Sequence, residues 1–142
     1  MAEQGSRKYL DVGLLILRLG IGGLFIVHGW PKLAGGVAMW KGLGANMHYF
    51  GVTYAFEFWG FMCAFVEAVG GAFLVLGVLV RPFAALMLIN MIVATVSMRH
   101  MSGVEFGTGW SRPLEMGVVF LSLLIMGGGS LGLGRLFRKS RK

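Results

Sequence analysis

The sequence is poor in charge, since Asp, Glu, Lys and Arg together make up only 13% of its 142 residues. A water-soluble domain usually carries about 25% charged residues, because its surface must be hydrated. Hydrophobic residues make up 56% of the chain, with a mean hydropathy of +0.76. The shortage of charge weighs against a soluble enzyme and favours an integral membrane protein.

Cysteine is also scarce, because Cys63 is the single one in the chain. One thiol excludes an intramolecular disulfide and the paired-thiol chemistry of a CxxC motif. If electrons pass through this protein, an external cofactor has to carry them. We expect no covalently attached cofactor.

Acidic residues number six against thirteen basic ones, which gives a net charge of +7. The excess is concentrated at the C-terminus, where five basic residues follow an apolar segment: Arg135, Arg138, Lys139, Arg141 and Lys142. A basic cluster directly after an apolar helix is typical of a cytoplasmic flank that faces anionic lipid. We therefore predict a basic cytoplasmic tail over 135–142 with lipid, and not nucleic acid, as its partner.

Four long apolar segments are present, at about 11–30, 56–80, 82–98 and 114–133. Each has about 17–25 residues, enough to cross a hydrocarbon core about 30 Å thick as a helix. Helices are required because backbone polar groups in lipid must bond within their own segment. The sequence thus predicts an all-α fold, a four-helix integral membrane bundle that forms a single domain over 1–142.

Orientation follows from the basic residues between the segments. Eight of them, including Arg7, Lys8 and Arg81, fall on the side that holds the two chain ends, which predicts that both termini are cytoplasmic. The longest connection then lies on the outer side. It contains Trp40 and Tyr49, residue types that favour the membrane interface, so we expect a short interfacial helix there.

Polar residues within the segments fall into two layers. A charge in hydrocarbon costs at least about 2.5–3.5 kcal/mol and must face a partner or water. Counting from the cytoplasmic ends at 1.5 Å per residue places Arg18 and Asn90 about 10–12 Å deep. An outer layer about 21–30 Å deep draws on all four helices. Its members are His28, Lys32, Glu67, His100 and Glu115.

Helix periodicity predicts that these polar side chains face the interior of the bundle. His28 and Lys32 are four residues apart and share a face, and Arg18 is offset from His28 by about 80°. Beside Glu67, small residues recur every four positions and predict a close helix contact: Gly60, Ala64, Ala68 and Ala72. Arg18 is expected to be structural, pairing with Asn90 or with an acid across the bundle.

An acid, two imidazoles and an amine at one depth are suited to a quinone head group, with the cations contacting a carbonyl and the carboxylate moving a proton. The set His28, Glu67, His100 and Glu115 also resembles carboxylate bundle sites for metals, although no ExxH spacing supports this. Structural interpretations stay open as well. Glu67 with His28 could fix helix register, Lys32 could extend to the interface, and Glu115 could favour a helix start.

Three stretches resemble the DoxX family of small bacterial membrane proteins: "LRLGIGGLFIVHGWPKL", "FWGFMCAFVEAVGGAFLVLGVLVRP" and "PLEMGVVFLSLLIMGGGSLGLGRL". The resemblance covers the chain from about Leu10 to Leu136. It depends on the spacing of Arg18, His28 and Lys32, on the segment around Glu67, and on Arg81-Pro82, His100 and Pro113-Leu114-Glu115.

The resemblance implies a four-helix, multi-pass protein of the bacterial inner membrane. Members are commonly labelled oxidoreductases, and relatives look like subunits of a thiosulfate:quinone oxidoreductase. Mycobacterial members are associated with a superoxide dismutase and a sulfurtransferase in a membrane complex. The paired cysteines of quinone-linked thiol-oxidising bundles are absent here, which favours quinone docking or scaffolding.

Our leading hypothesis is a membrane subunit of an oxidoreductase system that binds a quinone or a similar small redox ligand in the outer half of the bundle. Glu67 and His100 would be catalytic as proton relays. The cofactor-binding set would be His28, Lys32, Arg18 and Glu115, and we expect no metal. The alternative is a non-enzymatic membrane scaffold that recruits a redox or stress-response partner. A weaker third hypothesis is a small-solute or proton carrier, because no inverted repeat or broken helix pair is present in the sequence. A homo-oligomer or a larger membrane redox complex is expected in either leading case.

Overall fold

The computed structural model describes residues 2–101 and 103–134, and the regular structure within them is helical. In chain order the elements are α1 (Ala2–Ala34), α2 (Gly36–Gly44), a 3₁₀ helix (Ala45–Phe50), α3 (Phe56–Leu76), α4 (Val80–His100), a π-helix (Phe106–Trp110) and α5 (Ser111–Met126).

Four stretches are long and apolar enough to cross a membrane: Arg7–Ala34, Phe56–Leu76, Val80–His100 and Phe106–Met126. The predicted all-α fold with four spanning helices is therefore confirmed, and the chain is a multi-pass membrane protein. The predicted basic tail over 135–142 lies outside the described residues. The cytoplasmic placement of both termini stays a prediction.

The end of α3 differs from the prediction. The helix ends at Leu76 instead of 80, because Gly77 adopts a left-handed conformation with φ of +70°. The amides of Gly77 and Val78 turn back to the carbonyls of Leu74 and Phe73 at 3.1 Å. A left-handed glycine closes a helix in this way because it carries no Cβ that would clash.

The start of α4 is also earlier than predicted, at Val80 instead of 82. Pro82 lies in the first turn, where its missing N–H has no helical acceptor to lose. The connection between the two helices is thus 77–79 instead of 80–82. It is short, as expected, and makes α3 and α4 antiparallel neighbours.

The first and last spanning helices have different limits from those predicted. α1 extends from Ala2 to Ala34 and passes through Pro31, which has no N–H to donate to the Val27 carbonyl oxygen one turn earlier. α5 ends at Met126 instead of 133, because Gly127 has a φ of +75° and the helix stops there.

Close backbone contact joins α1 to α3. A Cβ added to Gly22 would lie 2.7 Å from the carbonyl oxygen of Gly71, and a Cβ added to Gly29 would collide with the amide of Ala68. The small residues predicted to permit this contact, Gly60, Ala64 and Ala68, are buried, while Ala72 is half-buried. The expectation of a tight interface on this face is confirmed, and α1 supplies much of it.

The short helix expected in the first outer connection is present as α2, followed by the 3₁₀ helix. It packs on the first turns of α3, since a Cβ on Gly44 would collide with the Phe56 carbonyl and one on Gly60 with the Trp40 carbonyl. The connection is therefore folded onto the bundle. Its position at a membrane interface stays a prediction.

The apolar core lies toward the other end of the bundle. The rings of Phe25 and Phe120 meet edge to face with 4.9 Å between centroids, which links α1 to α5. Leu74, Met87 and Leu123 are fully buried beside them. Arg18 is the fully buried charge near this core, and the polar cluster that includes Glu67 lies in the part of the bundle that α2 covers.

Candidate functional site

Lys32 and Glu67 form an ion pair between α1 and α3, with 2.6 Å between Nζ and Oε2. The Glu67 side chain is 5% exposed and that of Lys32 is 33% exposed. The helices meet closely here because a Cβ on Gly29, three residues before Lys32, would lie 2.8 Å from the Glu67 Cβ. A carboxylate this deeply buried requires a partner, and Lys32 provides it.

Two further polar groups lie next to this pair. Cys63, one turn before Glu67 on α3, places its Sγ 3.8 Å from Oε1, the second carboxylate oxygen. Asn90 of α4 donates a hydrogen bond from Nδ2 to the carbonyl oxygen of Cys63 at 3.1 Å. Polar side chains from α1, α3 and α4 therefore converge at one point within the bundle.

A cavity of about 560 Å³ lies between α3 and α4 beside these groups. Most of its wall is apolar, and the polar cluster of Lys32, Glu67, Cys63 and Asn90 borders it. Trp59, one turn before Cys63, lines it as well, and the buried Nε1–H of Trp59 has no hydrogen-bond partner among the described residues. The cavity thus combines an apolar wall with a few grouped polar side chains.

The outer end of the cavity is covered by the segment that follows α1. Gly44 at the end of α2 and Met47 of the 3₁₀ helix both line the cavity. Trp40 of α2 holds this segment against the end of α1 by donating a hydrogen bond from Nε1 to the Lys32 carbonyl oxygen at 3.1 Å. The Tyr49 ring stacks on His100 at the end of α4, with 5.0 Å between ring centroids.

Of the six predicted site residues, Lys32 and Glu67 line this cavity. His28 is exposed at the surface of the bundle, and its Nδ1 lies 2.8 Å from the Leu24 carbonyl oxygen. The prediction that His28 faces the interior is wrong, because the buried face of α1 is centred on Gly29, about 100° away.

His100 and Glu115 are also exposed and outside the cavity lining. His100 is the last residue of α4, and although it follows the lining residues Val93 and Ser97 on the same side of the helix, its ring is exposed and stacks on Tyr49 outside the cavity lining. Glu115 lies two residues from each of the buried Pro113 and Gly117, on the far side of α5. The predicted outer layer from four helices is therefore wrong for these residues, because Glu115 is rotated away from the interior of the bundle and His100 lies at the exposed end of α4.

Arg18 is fully buried, but its predicted partner is wrong, because Asn90 bonds to Cys63 instead. Nη1 of Arg18 donates to the Leu74 carbonyl oxygen at 3.4 Å, near the end of α3. A cation at a helix C-terminus is favourable because unpaired carbonyls accumulate there. Nε and Nη2 have no hydrogen-bond partner within the described part of the chain. Arg18 therefore joins α1 to α3 away from the cavity.

The same side-chain positions also contradict the metal site that the sequence suggested. Three of its four ligands, His28, His100 and Glu115, are exposed and apart from Glu67. Within residues 2–101 and 103–134 no group of three or more His, Cys, Asp or Glu side chains is placed to hold a metal ion.

A larger and more open depression, about 770 Å³, lies at the other end of α3 and α4. It is formed by backbone turns at 77–79 and 127–130 and includes the exposed Arg81. None of the six predicted site residues is among the described residues that line it. We place the candidate site at the smaller cavity, because the Lys32–Glu67 pair, Cys63 and Asn90 line it together.

Sequence reasoning missed Cys63 and Trp59 as members of the site and assigned Asn90 to another layer. The available signal was spacing, because Trp59, Cys63 and Glu67 recur every four residues and therefore share one face of α3. That face, read together with the depth of Asn90 on α4, would have indicated the cavity.

Comparison with known proteins identifies one family. The DoxX family model matches residues 13–100, more than half of the chain, and the match includes the polar cluster and both helices that enclose the cavity. No curated protein and no solved structure matches the chain.

Proposed function

The chain belongs to the DoxX family of membrane proteins, and on this premise we propose that it is a subunit of an oxidoreductase system in the bacterial inner membrane. The proposed ligand is a quinone, or a similar small redox molecule, in the cavity between α3 and α4. We further propose that the subunit works within a homo-oligomer or a larger redox complex.

The observation that supports this most directly is the Lys32–Glu67 pair on the wall of an apolar cavity. Its volume of about 560 Å³ falls within the range of about 300–1,000 Å³ that is typical of small-molecule sites. Such sites are mostly apolar with a few placed polar groups. A quinone ring has that character, with flat apolar faces and two carbonyl oxygens.

The polar side chains fit complementary tasks. The Lys32 ammonium has donors beyond the one that Glu67 Oε2 accepts, and one of them is suited to a ligand carbonyl. Glu67 Oε1 is the oxygen directed toward Cys63, and it is suited to accept or return a proton. A bound quinone supplies the capacity for two electrons and two protons. The protein's share is to orient the ring, exclude water and hold a proton at Oε1.

His28, His100 and Glu115 have no part in this proposal, because they lie outside the cavity lining. Of the two predicted proton relays, Glu67 and His100, only Glu67 remains in the proposal. Arg18 contributes by fixing α1 against α3, so its role is structural.

The test is thermal unfolding of the purified full chain in nanodiscs, with and without fully substituted quinones that lack a long chain. Suitable probes are a dimethoxy-dimethylbenzoquinone and a dimethylnaphthoquinone, since full substitution prevents addition of the Cys63 thiol. Ligand at about 100 times its Kd should stabilise the wild type by about 2.7 kcal/mol. Glu67→Gln should lose this stabilisation.

Glu57→Gln is the matched control. Glu57 lies on the same helix and also pairs with a lysine, since its Oε1 is 3.7 Å from Lys41 Nζ, but it is outside the cavity lining. It should keep the full ligand effect. An absence of stabilisation in the wild type, or an equal effect in the wild type and Glu67→Gln, would count against the proposal and favour the scaffold alternative.

A further inference from the structure

We propose that the cavity opens sideways between α3 and α4 into the hydrocarbon, and that its ligand is a membrane-dissolved molecule whose apolar chain lies in this opening. The polar end of the ligand would rest at the Lys32–Glu67 pair. This inference depends on the proposed function for the nature of the polar end, and it adds the route of entry and the class of ligand.

Near their connection, α3 and α4 are in contact. The rings of Phe73 and Phe83 stack with 4.5 Å between centroids. A Cβ added to Gly70 would lie 3.0 Å from the Phe83 ring and 3.1 Å from the Met87 side chain. Farther from the connection both helices line the cavity, and the hydrogen bond from Asn90 Nδ2 to the Cys63 carbonyl oxygen joins them there. The two helices are therefore in ring contact near the connection and have the cavity between them farther along.

Apolar side chains that are exposed at the surface of the bundle border the cavity on this side. They come from both helices: Phe58 at 55%, Leu86 at 40%, Ile89 at 56% and Met98 at 38% exposure. The carboxylate at the polar end of the cavity is buried by contrast, since Glu67 is 3% exposed. Leu86 and Ile89 lie within α4, while Phe58 and Met98 lie in the turns of α3 and α4 next to the outer connection. In a chain that spans the membrane, exposed apolar side chains along a spanning helix face acyl chains.

Entry from the outer end of the cavity is blocked by the segment that follows α1. Gly44 and Met47, from α2 and the 3₁₀ helix, line the outer end of the cavity. This cover is fixed to the ends of α1 and α4 through Trp40 and the Tyr49–His100 ring stack. At the outer end Met101 is also exposed, at 48%, but most of the exposed apolar lining residues lie along the side between α3 and α4.

The opening is long enough for an extended chain. Leu86 and Met98 are twelve residues apart on α4, which corresponds to about 18 Å along the helix. A charge pair with a buried carboxylate on the inner wall of the cavity and an apolar rim at its side complement a molecule with a polar ring and an apolar chain. A long-chain quinone has this form, whereas a water-soluble redox metabolite does not.

The experiment compares two probes with the same fully substituted dimethoxybenzoquinone ring, one carrying a methyl group and the other a decyl chain. Ile89→Trp narrows the opening. Ile92→Trp is its control, because Ile92 is on the same helix, is 50% exposed and is not among the cavity-lining residues. Binding is followed in nanodiscs by thermal shift, without any assay of activity.

We expect Ile89→Trp to weaken binding of the decyl probe by about tenfold and to leave the methyl probe within about twofold of wild type. Ile92→Trp should change neither. A gain in affinity with chain length is not the criterion, because a chain that moves from lipid to the groove exchanges one apolar medium for another. Equal binding of the decyl probe to both tryptophan variants and to the wild type would overturn the side opening while leaving the proposed function intact.

A second measurement needs no variant. A decyl probe with a diazirine at the chain end is photolysed in nanodiscs, and its adducts are mapped by mass spectrometry. Adducts should concentrate on Phe58 and on the segment from Leu86 to Met98. Labelling concentrated on α1 or α5, or equal labelling by a diazirine phospholipid that the quinone does not displace, would overturn the inference. If neither quinone probe binds, the proposed function fails as well.

Discussion

Gly22 of α1 and Gly71 of α3 face each other so closely that a Cβ on Gly22 would lie 2.7 Å from the Gly71 carbonyl oxygen, and one on Gly71 2.6 Å from the Gly22 carbonyl oxygen. Such an approach is typical of membrane helices, which associate through backbone packing instead of hydrophobic burial. The same contact continues through Gly29 and places Lys32 beside Glu67. The polar cluster therefore depends on glycines that lie one to three turns away from it.

Gly22→Ala should destabilise the bundle by about 1–3 kcal/mol, the usual effect of overpacking a close contact. Gly23→Ala is the control, because no atom lies within 4 Å of a Cβ at that position. It should be neutral or stabilise the helix by up to about 1 kcal/mol, since alanine favours helix more than glycine does. Free energies of unfolding in detergent micelles measure both. Equal effects would show that the glycine contact does not hold α1 to α3.

Gly77→Ala should be more damaging than Gly36→Ala, although both glycines have nearly the same conformation, with φ of +70° and +71°. An alanine at either position should lose about 1–2 kcal/mol from the left-handed backbone. At Gly77 the added Cβ would also collide with Nη1 of Arg18, whereas nothing lies within 4 Å of a Cβ on Gly36.

The comparison is made by chemical unfolding in micelles, with each substitution repeated in an Arg18→Ala background. Removal of the guanidinium should relieve part of the Gly77→Ala penalty and none of the Gly36→Ala penalty. A Gly77→Ala penalty that is the same in both backgrounds would show that Arg18 does not lie against this turn.

The Lys32–Glu67 pair should be coupled more strongly than the Lys41–Glu57 pair. The first is 2.6 Å long with a nearly buried carboxylate, while the second is 3.7 Å long with side chains 66% and 46% exposed. Double-mutant cycles with Lys→Met and Glu→Gln should give about 1–3 kcal/mol for the first pair and less than about 1 kcal/mol for the second. Similar coupling energies would mean that the cavity wall is effectively hydrated.

The sequence was a good guide to the fold because its strongest signal, the apolar run, is set by the thickness of the membrane. It was a weaker guide to helix ends, since glycines with positive φ at 77 and 127 end α3 and α5 inside apolar runs. The chain has 24 glycines, and some lie within helices while others end them. Which of the two a given glycine does depends on tertiary packing, so glycine alone does not mark a helix end.

For the candidate site, the depth of each side chain in the membrane was predictable from the sequence, but the rotation of each helix about its own axis was not. Glu67 and Lys32 were placed at one level and do meet, but His28 shares that level and faces outward. The buried face of α1 runs through Arg18, Gly22 and Gly29. Which face of α1 is buried depends on the helix that packs against it, and the sequence of α1 alone does not identify that helix.

His28→Ala should therefore change neither stability nor ligand binding. His28 is exposed and bonds within its own helix to the Leu24 carbonyl, and surface substitutions of this kind usually stay within about 0.5 kcal/mol. The measurement is the same quinone-dependent thermal shift in nanodiscs, with Glu67→Gln as the variant that loses it. A ligand effect that disappears in His28→Ala would return the imidazole to the site.

Cys63 offers a direct report on occupancy, because it is the single cysteine of the chain and lines the cavity next to Glu67. Bound quinone should slow its alkylation by N-ethylmaleimide in nanodiscs, by about tenfold when the ligand is at ten times its Kd, since the rate then follows the free fraction. The fully substituted decyl probe is suitable, as it cannot itself add the thiol. Glu67→Gln should lose the protection and Glu57→Gln should keep it, with modification followed by intact-protein mass.

Protection that persists in Glu67→Gln would mean that the ligand occupies the cavity without contacting the Glu67 carboxylate. Alkylation that is insensitive to quinone in the wild type would place the ligand elsewhere.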